Sequence, residues 1–248
     1  MQRLAIGAHP DDVEIFAISA IMKGDFHCIV LTDGAGCARG KGYENLTGEQ
    51  LKRIREKEQL AACKAGGYTA DMLGLTSEQV KNLSDEVEQK LTAYFNEYMP
   101  KEVYIHSPFD KHETHIAAFW RAFKALKKSD CRPDKLYACE VWRGLDWFDG
   151  DEKVVLDTGG SEKLSDKILS KFVSQNVTKH YNLGAKGRRW ANATFSGSHE
   201  KSKFSSYNFA VDMTKFLCED ISETEKFIND SLDKFCKTTA AASLKFKD

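Results

Sequence analysis

A histidine and two aspartates lie close together near the start of the chain. They are His9, Asp11 and Asp12, in the run GAHPDDVE at residues 7–14. A short apolar segment at 4–8 precedes them and predicts a buried strand, and apolar residues with helical spacing follow. Ligands bind at the carboxyl ends of strands in open α/β sheets. An imidazole and two carboxylates at such a point therefore favour a metal site.

The same run also has a purely structural interpretation. Pro10 suits the first position of a helix, where its missing N–H would have no partner in any case. Asp11 and Asp12 complement the positive end of the helix dipole. For this run taken alone, helix capping and metal binding both remain open.

A second cluster of histidines follows a later predicted strand. The run HSPFDKHETH at 106–115 holds three of the seven histidines of the chain. It comes after the predicted strand Glu102–His106 and before an amphipathic helical pattern at 116–126. His112 and His115 are three residues apart, which places both on one face of that helix if it has begun by then.

Strands and helices alternate over the first 130 residues, which predicts a largely parallel sheet. The predicted strands of this part span 4–8, 26–31, 71–75 and 102–106, and the helices span 15–22, 48–65, 84–99 and 116–126. Beyond it, the pattern predicts strands at 135–141, 153–156 and 209–213, helices at 162–173 and 222–235, and a long loop or hairpin at 182–204. The sequence has no evident linker or repeat. We therefore expect one α/β domain over 1–248, in which a less regular part at 131–248 completes a core formed by 1–130.

The composition argues against several classes of partner. The chain has 36 Lys and Arg against 37 Asp and Glu, a net charge of −1, which gives no reason to expect nucleic acid or an anionic membrane. No apolar segment has the length of a signal-peptide core or of a transmembrane helix. Seven cysteines, an odd number without a C-x-x-C pair, indicate a reduced cytoplasmic protein. The oligomeric state stays open, a homo-oligomer included.

A glycine-rich segment follows the second predicted strand, at residues 32–42. The spacing of its four glycines fits neither the phosphate-binding loop nor the dinucleotide fingerprint. This argues against a nucleotide-binding Rossmann protein such as a methyltransferase. We expect the segment to rim the site, with a structural turn as the alternative.

The two clusters are expected to meet, because the carboxyl ends of parallel strands lie at one edge of a sheet. His9, Asp12 and His115 would then form a three-ligand zinc site with open positions, and Fe(II) or Co(II) accept the same ligands. Zinc would lower the pKa of its water towards about 7 and polarise a carbonyl group. Asp11 would take the proton of that water, and His112 would stabilise an oxyanion or protonate a leaving amine. These parts suit amide hydrolysis, with metal-bound water as the nucleophile.

Two motifs resemble those of the LmbE-like (PIG-L) family of zinc-dependent N-acetylglucosaminyl deacetylases. They are AHPDDVE at 8–14 and DKHETH at 110–115, with shorter matches at 32–34, 55–58, 61–62, 73–75, 140–142 and 174–175. The resemblance is strong over the first 120 residues and faint beyond them. It implies a Rossmann-like, mostly parallel sheet flanked by helices. It also implies removal of an acetyl group from an N-acetylglucosamine-type sugar or its conjugate.

The resemblance also implies roles for individual residues. Its zinc ligands fall on His9, Asp12 and His115, its general base on Asp11 and its second histidine on His112. By the same resemblance Arg55 contacts substrate hydroxyls. The alternative for Arg55 is an ion pair with Glu58 on the helix surface.

The chain departs from the family pattern at two places. Phe16 and Ile18 stand where the family usually has a glycine-rich helix start, and we expect them to narrow the pocket. Thr114 stands where an aspartate usually helps to keep His112 charged, a role that Asp110 could take over. These departures keep a second hypothesis open, that of a non-catalytic carbohydrate-binding or interaction module that retains the fold.

Several residues of the C-terminal part are candidates for stacking on a sugar or contacting its hydroxyls. They are Trp142, Arg143, Trp147, Arg188, Arg189 and Trp190. Each of them has the alternative of a packed aromatic ring or a solvated arginine. Glu14 is expected to support the site or the core.

Overall fold

A computed structural model describes residues 1–82, 85–197, 199 and 201–247 of the chain. Within these residues the strands are β1 (Arg3–Gly7), β2 (Phe26–Thr32), β3 (Thr69–Leu75), β4 (Glu102–His106), β5 (Lys135–Cys139), β6 (Lys153–Asp157) and β7 (Tyr207–Asp212). The helices are α1 (Asp12–Phe16), α2 (Ile18–Met22), α3 (Gly48–Gly66), α4 (Ser77–Lys81), α5 (Glu86–Tyr98), α6 (Glu113–Lys128), α7 (Glu162–Leu169), α8 (Val173–Lys179), α9 (Tyr181–Phe195) and α10 (Ile221–Leu244). A short 3₁₀ helix spans Thr214–Leu217.

The seven described strands form one sheet in the order β3-β2-β1-β4-β5-β7-β6. The strands from β3 to β5 are parallel, whereas β7 runs antiparallel to both β5 and β6. The predicted α/β fold with a mostly parallel sheet is confirmed. The chain leaves β1 towards β2 and β3 and later returns on the other side of β1 as β4. Strands β1 and β4 therefore flank the topological switch point, where open α/β sheets bind ligands.

The central strands are apolar on both faces because helices cover both sides of the sheet. Leu4 and Ile6 of β1 belong to the core shared with α5 and α6, whereas Ala5 belongs to the core shared with α1, α2 and α3. With both faces covered, only the carboxyl end of β1 opens towards a cleft. His9 follows that end within two residues.

The structure corrects several predicted elements of the C-terminal part. The predicted loop or hairpin at 182–204 is wrong, because α9 occupies most of it. Gly184 and Gly187 lower the helix propensity of this segment, and the burial of Ala185 and Arg189 compensates. The predicted helix at 162–173 is the separate helix α7 followed by the start of α8, and the last helix continues to Leu244.

The N-terminal part differs less from the prediction. The helix predicted at 15–22 breaks at Ala17 into α1 and α2, and the short helix α4 is additional. Residue 84, where another helix was expected to begin, lies outside the described residues, and α5 begins at Glu86. None of the helices that the structure describes combines the length and apolarity needed to cross a membrane.

Candidate metal-binding site

Three of the predicted ligands meet at the switch point between β1 and β4. His9 follows β1, Asp12 begins α1 and His115 lies in the first turn of α6. The Nδ1 atom of His9 is 3.1 Å from Nε2 of His115, and Oδ2 of Asp12 is 3.3 Å from each of these nitrogens. The fold thus brings together side chains that lie 106 residues apart in the sequence.

These separations suit three ligands of a single ion. Ligand atoms at the usual zinc distances of about 2.0–2.1 Å lie roughly 3.3 Å from one another when the coordination is tetrahedral. Two imidazoles and one carboxylate are also the donor set of open, three-ligand zinc sites. His9, Asp12 and His115 could therefore hold a divalent ion between them.

Hydrogen bonds and burial prepare these groups for that role. Nδ1 of His115 donates to Oδ2 of Asp110 at 2.9 Å, which leaves the Nε2 lone pair facing His9. Burial lowers the pKa of His115 to about 4, so its ring is neutral near pH 7. Although burial opposes it, contact with His115, His106 and His9 lowers the pKa of Asp12 well below its usual range. A neutral imidazole and an ionised carboxylate are the forms that bind metal.

His106, at the end of β4, is a neighbour that the sequence reasoning did not assign to the site. Its Nε2 is 3.3 Å from Oδ2 of Asp12, and its ring stacks on that of His115 at 4.1 Å. Two overlapping sets have ligand atoms within 4.8 Å of one another: His9, His112 and His115, and Asp12, His106 and His115. However, the backbone N–H of Ala8 donates to Nε2 of His106 at 2.9 Å and occupies the lone pair that a metal would need. The geometry therefore favours His9 over His106 as a ligand.

Asp11 joins the end of the β1 loop to α1 in an unusual backbone conformation. Its φ of 90° lies in the left-handed region, which residues with a side chain seldom adopt. The carboxylate lines the cleft, with Oδ2 3.6 Å from Nη2 of Arg55. Burial raises the pKa of Asp11 well above its usual range, against the charge of Arg55 and with the help of Asp12 and Glu14. A raised pKa suits a carboxylate that accepts a proton during a reaction.

His112 precedes α6 as its N-terminal cap and faces the same cleft. Its Nδ1 accepts a hydrogen bond from the backbone N–H of Thr114 at 3.3 Å, which leaves Nε2 to carry the proton of a neutral ring. Its ring centroid is 5.0 Å from that of His9. Burial, together with the neighbouring charge of His9, lowers the pKa of His112. This histidine is therefore a neutral hydrogen-bond donor at neutral pH.

Asp110 is directed to His115 rather than to His112. Besides His115, its oxygens accept hydrogen bonds from the backbone N–H groups of Lys111, Val141 and Trp142. Its charge raises the pKa of His112 only in part, because burial still lowers that pKa overall. Asp110 therefore takes over only in part the role of the family's aspartate, which is to keep His112 charged.

Arg55 is enclosed by the fold instead of lying on a helix surface. The residue is 1% exposed, and its Nη2 donates to the carbonyl oxygen of Pro10. The alternative considered for Arg55, an ion pair with Glu58, is wrong, since Glu58 accepts from the N–H and the hydroxyl of Ser174 at 2.7 and 2.6 Å. Nε and Nη1 of Arg55 have no hydrogen-bond partner among the described residues. Arg55 nevertheless lines the cleft, so its guanidinium lies close to whatever binds there.

The site opens into a cleft of about 600 Å³. Further walls come from the glycine-rich segment, the start of α4 and the C-terminal part: residues 33–38 and 76–78, Val141, Trp142, Gln175, Lys179 and Tyr181. The glycine-rich segment therefore rims the site, as predicted. Phe16 and Ile18 are not among the described residues that line the cleft, and Phe16 packs edge-on against His106 at 5.1 Å. The predicted narrowing of the pocket by these two side chains is wrong.

Of the six C-terminal candidates for sugar contacts, Trp142 is the one that lines the cleft among the described residues. Trp147 packs against Phe109 and Phe148, while Arg188 donates to the carbonyl groups of Val141 and Arg143. Gln175, Lys179 and Tyr181 line the cleft but were not singled out as contacts. The only sequence signal among them was the faint family match at 174–175.

Arg189 binds the C-terminal end of helix α1 and does not line the cleft. Its Nη2 donates to the carbonyl oxygens of Glu14 and Ile15 at 3.0 and 2.9 Å. Nδ2 of Asn208 donates to those of Ile15 and Phe16 at 3.1 and 3.0 Å. The last carbonyl groups of a helix lack hydrogen-bond partners within the helix, and these two side chains donate the missing hydrogen bonds.

The sequence profile of the PIG-L family, described as GlcNAc-PI de-N-acetylase, matches residues 4–126. No curated protein has a significant sequence match to the chain.

Three solved structures illustrate the likeness of the fold. An N,N'-diacetylchitobiose deacetylase from Pyrococcus horikoshii has 19% identity and a TM-score of 0.64, covering 84% of this chain and 83% of its own. The zinc-inhibited form of a teicoplanin deacetylase has 15% identity and a TM-score of 0.62, covering 86% of this chain and 97% of its own. The 4-carboxy-2-hydroxymuconate hydratase of Pseudomonas putida KT2440 has 17% identity and a TM-score of 0.61, covering 86% and 95%.

At these identities the structural likeness establishes a shared fold, and one fold can support more than one reaction. The family match is more specific, because it spans the segment from β1 to α6 that contains His9, Asp12 and His115. The chain belongs to the PIG-L, or LmbE-like, family.

Proposed function

We propose that the chain is a metal-dependent amidohydrolase that removes an acetyl group from an N-acetylated amino sugar of the N-acetylglucosamine type, or from a conjugate of such a sugar. The observation that supports this most is the convergence of His9, Asp12 and His115 beside Asp11 and His112. Amide hydrolysis needs a polarised carbonyl group, a base for the attacking water and a donor for the oxyanion. These five side chains can supply all three.

His9, Asp12 and His115 are the proposed ligands. When bound, a divalent ion lowers the pKa of water and polarises a carbonyl oxygen. We propose zinc, with Fe(II) or Co(II) as alternatives that accept the same donors. Because one structural neighbour was solved in a zinc-inhibited form, the activating ion has to be identified with the zinc concentration varied.

Asp11 and His112 are the proposed proton-handling groups. The carboxylate of Asp11 accepts the proton of the attacking water and passes it to the leaving nitrogen. Burial raises its pKa, which makes the carboxylate a stronger base for this transfer. The Nε2–H group of His112 donates to the amide oxygen as negative charge develops there. The guanidinium of Arg55, which lies in the cleft wall, contacts a hydroxyl group of the sugar.

The proposed substrate class is supported by the cleft and by the related proteins. A volume of about 600 Å³ lies within the range of small-molecule sites. Trp142 offers an aromatic surface in the wall, and aromatic side chains commonly contribute both apolar area and a polar edge to binding sites. The family description names a de-N-acetylase, and two of the three structures compared are named deacetylases.

Release of amine and acetate from a panel of substrates tests this proposal. The purified chain is incubated with N-acetylglucosamine, diacetylchitobiose and N-acetylglucosaminyl glycosides, with added Zn²⁺, Fe²⁺ or Co²⁺ and after chelation. We expect equal amounts of free amine and acetate, loss of both after chelation and recovery when the ion is restored. Sugar binding without release would identify a carbohydrate-binding module. Water addition to an unsaturated carboxylic acid, without amine release, would identify a hydratase.

We further propose that the whole chain works as one cytoplasmic domain. Strands from both parts of the chain join a single sheet, so neither part has a complete sheet of its own. All seven cysteines are free thiols, which is typical of a reducing compartment.

A further inference from the structure

The left-handed conformation of Asp11 requires a physical cause. With φ 90° and ψ −23°, the residue lies in a region that is unfavourable for side chains with a Cβ atom. The conformation has a clear consequence for the site. Neighbouring residues of a helix point about 100° apart around its axis. The turn at Asp11 instead lets both Asp11 and Asp12 line the same cleft.

The side chain of Gln59, on α3, contacts Asp11 directly. It is 0% exposed, and its Oε1 accepts a hydrogen bond from the backbone N–H of Asp11 at 3.4 Å. Its Nε2 donates to Oε1 of Glu14 at 2.6 Å. The amide is therefore oriented by both partners, since its oxygen must face the N–H group and its nitrogen must face the carboxylate.

A second side chain fixes the far end of this bridge. Glu14 is also 0% exposed, and its Oε1 accepts a hydrogen bond from the hydroxyl of Tyr68. Tyr68 directly follows Gly67, the C-terminal cap of α3, so Gln59 and Tyr68 reach Glu14 from one helix and its adjoining turn. The result is a buried series of contacts from Tyr68 through Glu14 and Gln59 to the backbone of Asp11.

We propose that Gln59 is a positioning residue for the reaction: it holds the backbone of Asp11 in the left-handed conformation, so that this carboxylate meets the substrate while Asp12 faces the metal. Glu14 and Tyr68 keep the Gln59 amide in the required orientation. Gln59 itself touches neither the metal ligands nor the reacting atoms. This inference rests on the proposed function of Asp11 as the base.

Four variants test the proposal. Gln59→Leu removes the hydrogen bonds to Asp11 and Glu14, together with a weak one to Cys63 Sγ, with little change of volume. Gln59→Glu keeps an acceptor for Asp11 but places two carboxylates together. The double variant Gln59→Glu/Glu14→Gln restores one donor and one acceptor in exchanged positions. Gln50→Ala, an exposed capping residue at the start of the same helix, is the matched control. For each variant, kcat, KM, bound metal per chain and the φ of Asp11 in a crystal structure are measured.

We expect Gln59→Leu to lower kcat roughly 10- to 100-fold, as for other small misplacements of a reacting group. KM and bound metal should stay within about threefold of the original values, and the φ of Asp11 should leave the left-handed region. Gln59→Glu should be similarly slow, the double variant should recover most of the kcat, and Gln50→Ala should remain within about twofold. A loss of folding alone would not produce this split between kcat and metal content.

Two results would overturn the proposal. One is a Gln59→Leu protein with unchanged kcat and an Asp11 φ that stays near 90°. The other, which remains decisive if Gln59→Leu does not fold, is a double variant no faster than Gln59→Glu alone. If the unaltered chain releases no amine from any substrate, the proposed function fails. The φ of Asp11 in Gln59→Leu then decides the positioning role by itself.

Discussion

The two parts of the chain contribute to the candidate site in different ways. Residues 4–126 carry all the groups proposed to bind the metal or move a proton, on the loops and helix starts that follow β1 and β4. Residues 131–247 supply one wall of the cleft and the side chains that hold α1 from behind. The reactive groups are neighbours in two short runs, whereas the supports from the second part are single residues on α9 and β7. The reactive residues thus lie close together in the sequence, whereas the residues that support them are dispersed along it.

Arg189 shows how the second part acts on the first. Burial lowers its pKa to about 10, so that the guanidinium stays charged at neutral pH. A charged donor at the negative end of a helix is more stabilising than a neutral one. Since α1 has only five residues, we expect changes at Arg189 to reach Asp11 and Asp12 indirectly.

The largest effect should come from the first part of the chain, at Asp11. We expect Asp11→Asn to lower kcat about 10³-fold or more, because an amide cannot accept the proton of the attacking water. The three proposed ligands are unchanged, so the bound metal per chain should be the same as in the original protein. Steady-state kinetics and metal analysis of the same preparation check both expectations. Activity within tenfold of the original would show that another group is the base.

His112→Ala should have the next largest effect. Loss of its Nε2–H donor should slow turnover about 10²-fold. Its pKa lies below the usual 6.5, so the neutral ring should already predominate at pH 7. The pH profile of kcat/KM above pH 7 should therefore have the same shape in both proteins. A falling limb above pH 7 that disappears in the variant would show instead that the charged imidazolium is the active form.

A smaller effect is expected from the second part of the chain, at Arg189. We expect Arg189→Met to lower kcat about tenfold by loosening α1, and to lower the free energy of unfolding by about 2 kcal/mol. Lys186→Met is the matched control, since Lys186 lies on the same helix and pairs with the exposed Asp166. Denaturant unfolding and kinetics are compared for the two variants. Equal behaviour of both would mean that the second part does not support the chemistry.

The smallest effect on turnover is expected at Glu140, a buried carboxyl group of the second part that lies near Asp110 of the first. Burial, and then the charge of Asp110, raises the pKa of Glu140 from 4.5 to about 8. The folded protein thus binds a proton that the unfolded chain releases, and its stability falls as the pH rises from 4.5 to 8. Glu140→Gln should remove this loss of stability with rising pH, because an amide does not titrate. Its melting temperature should match the original at pH 4.5 and exceed it by roughly 10 °C at pH 8.5, since each pKa unit corresponds to about 1.4 kcal/mol. A constant difference at both pH values would contradict this.

Much of the first part could be predicted from its sequence because its signals are local. Apolar runs such as Glu102–His106 mark buried strands, and the polar residues after them mark the edge of the sheet where side chains converge. The placement of His9, Asp12 and His115 follows from two such strand ends and the rule for parallel sheets.

The remaining features depend on contacts between distant residues. His106 ends a strand, and only the structure shows that Ala8 donates to its ring. Gln59 lies between the short family matches at 55–58 and 61–62 but in neither of them, and Arg189 has no motif around it. Their roles come from hydrogen bonds to residues 48 and 175 positions away in the sequence. Helix α9 has two interior glycines, so its propensity is poor and its packing decides its conformation.

The central claim is that one divalent ion binds between His9, Asp12 and His115, and anomalous X-ray scattering at the zinc edge tests it most directly. A crystal of the zinc-loaded protein should show one strong peak per chain. That peak should lie about 2.0–2.2 Å from Nδ1 of His9, Oδ2 of Asp12 and Nε2 of His115. A peak bound by His106 in place of His9, or no peak in this cleft, would contradict the account.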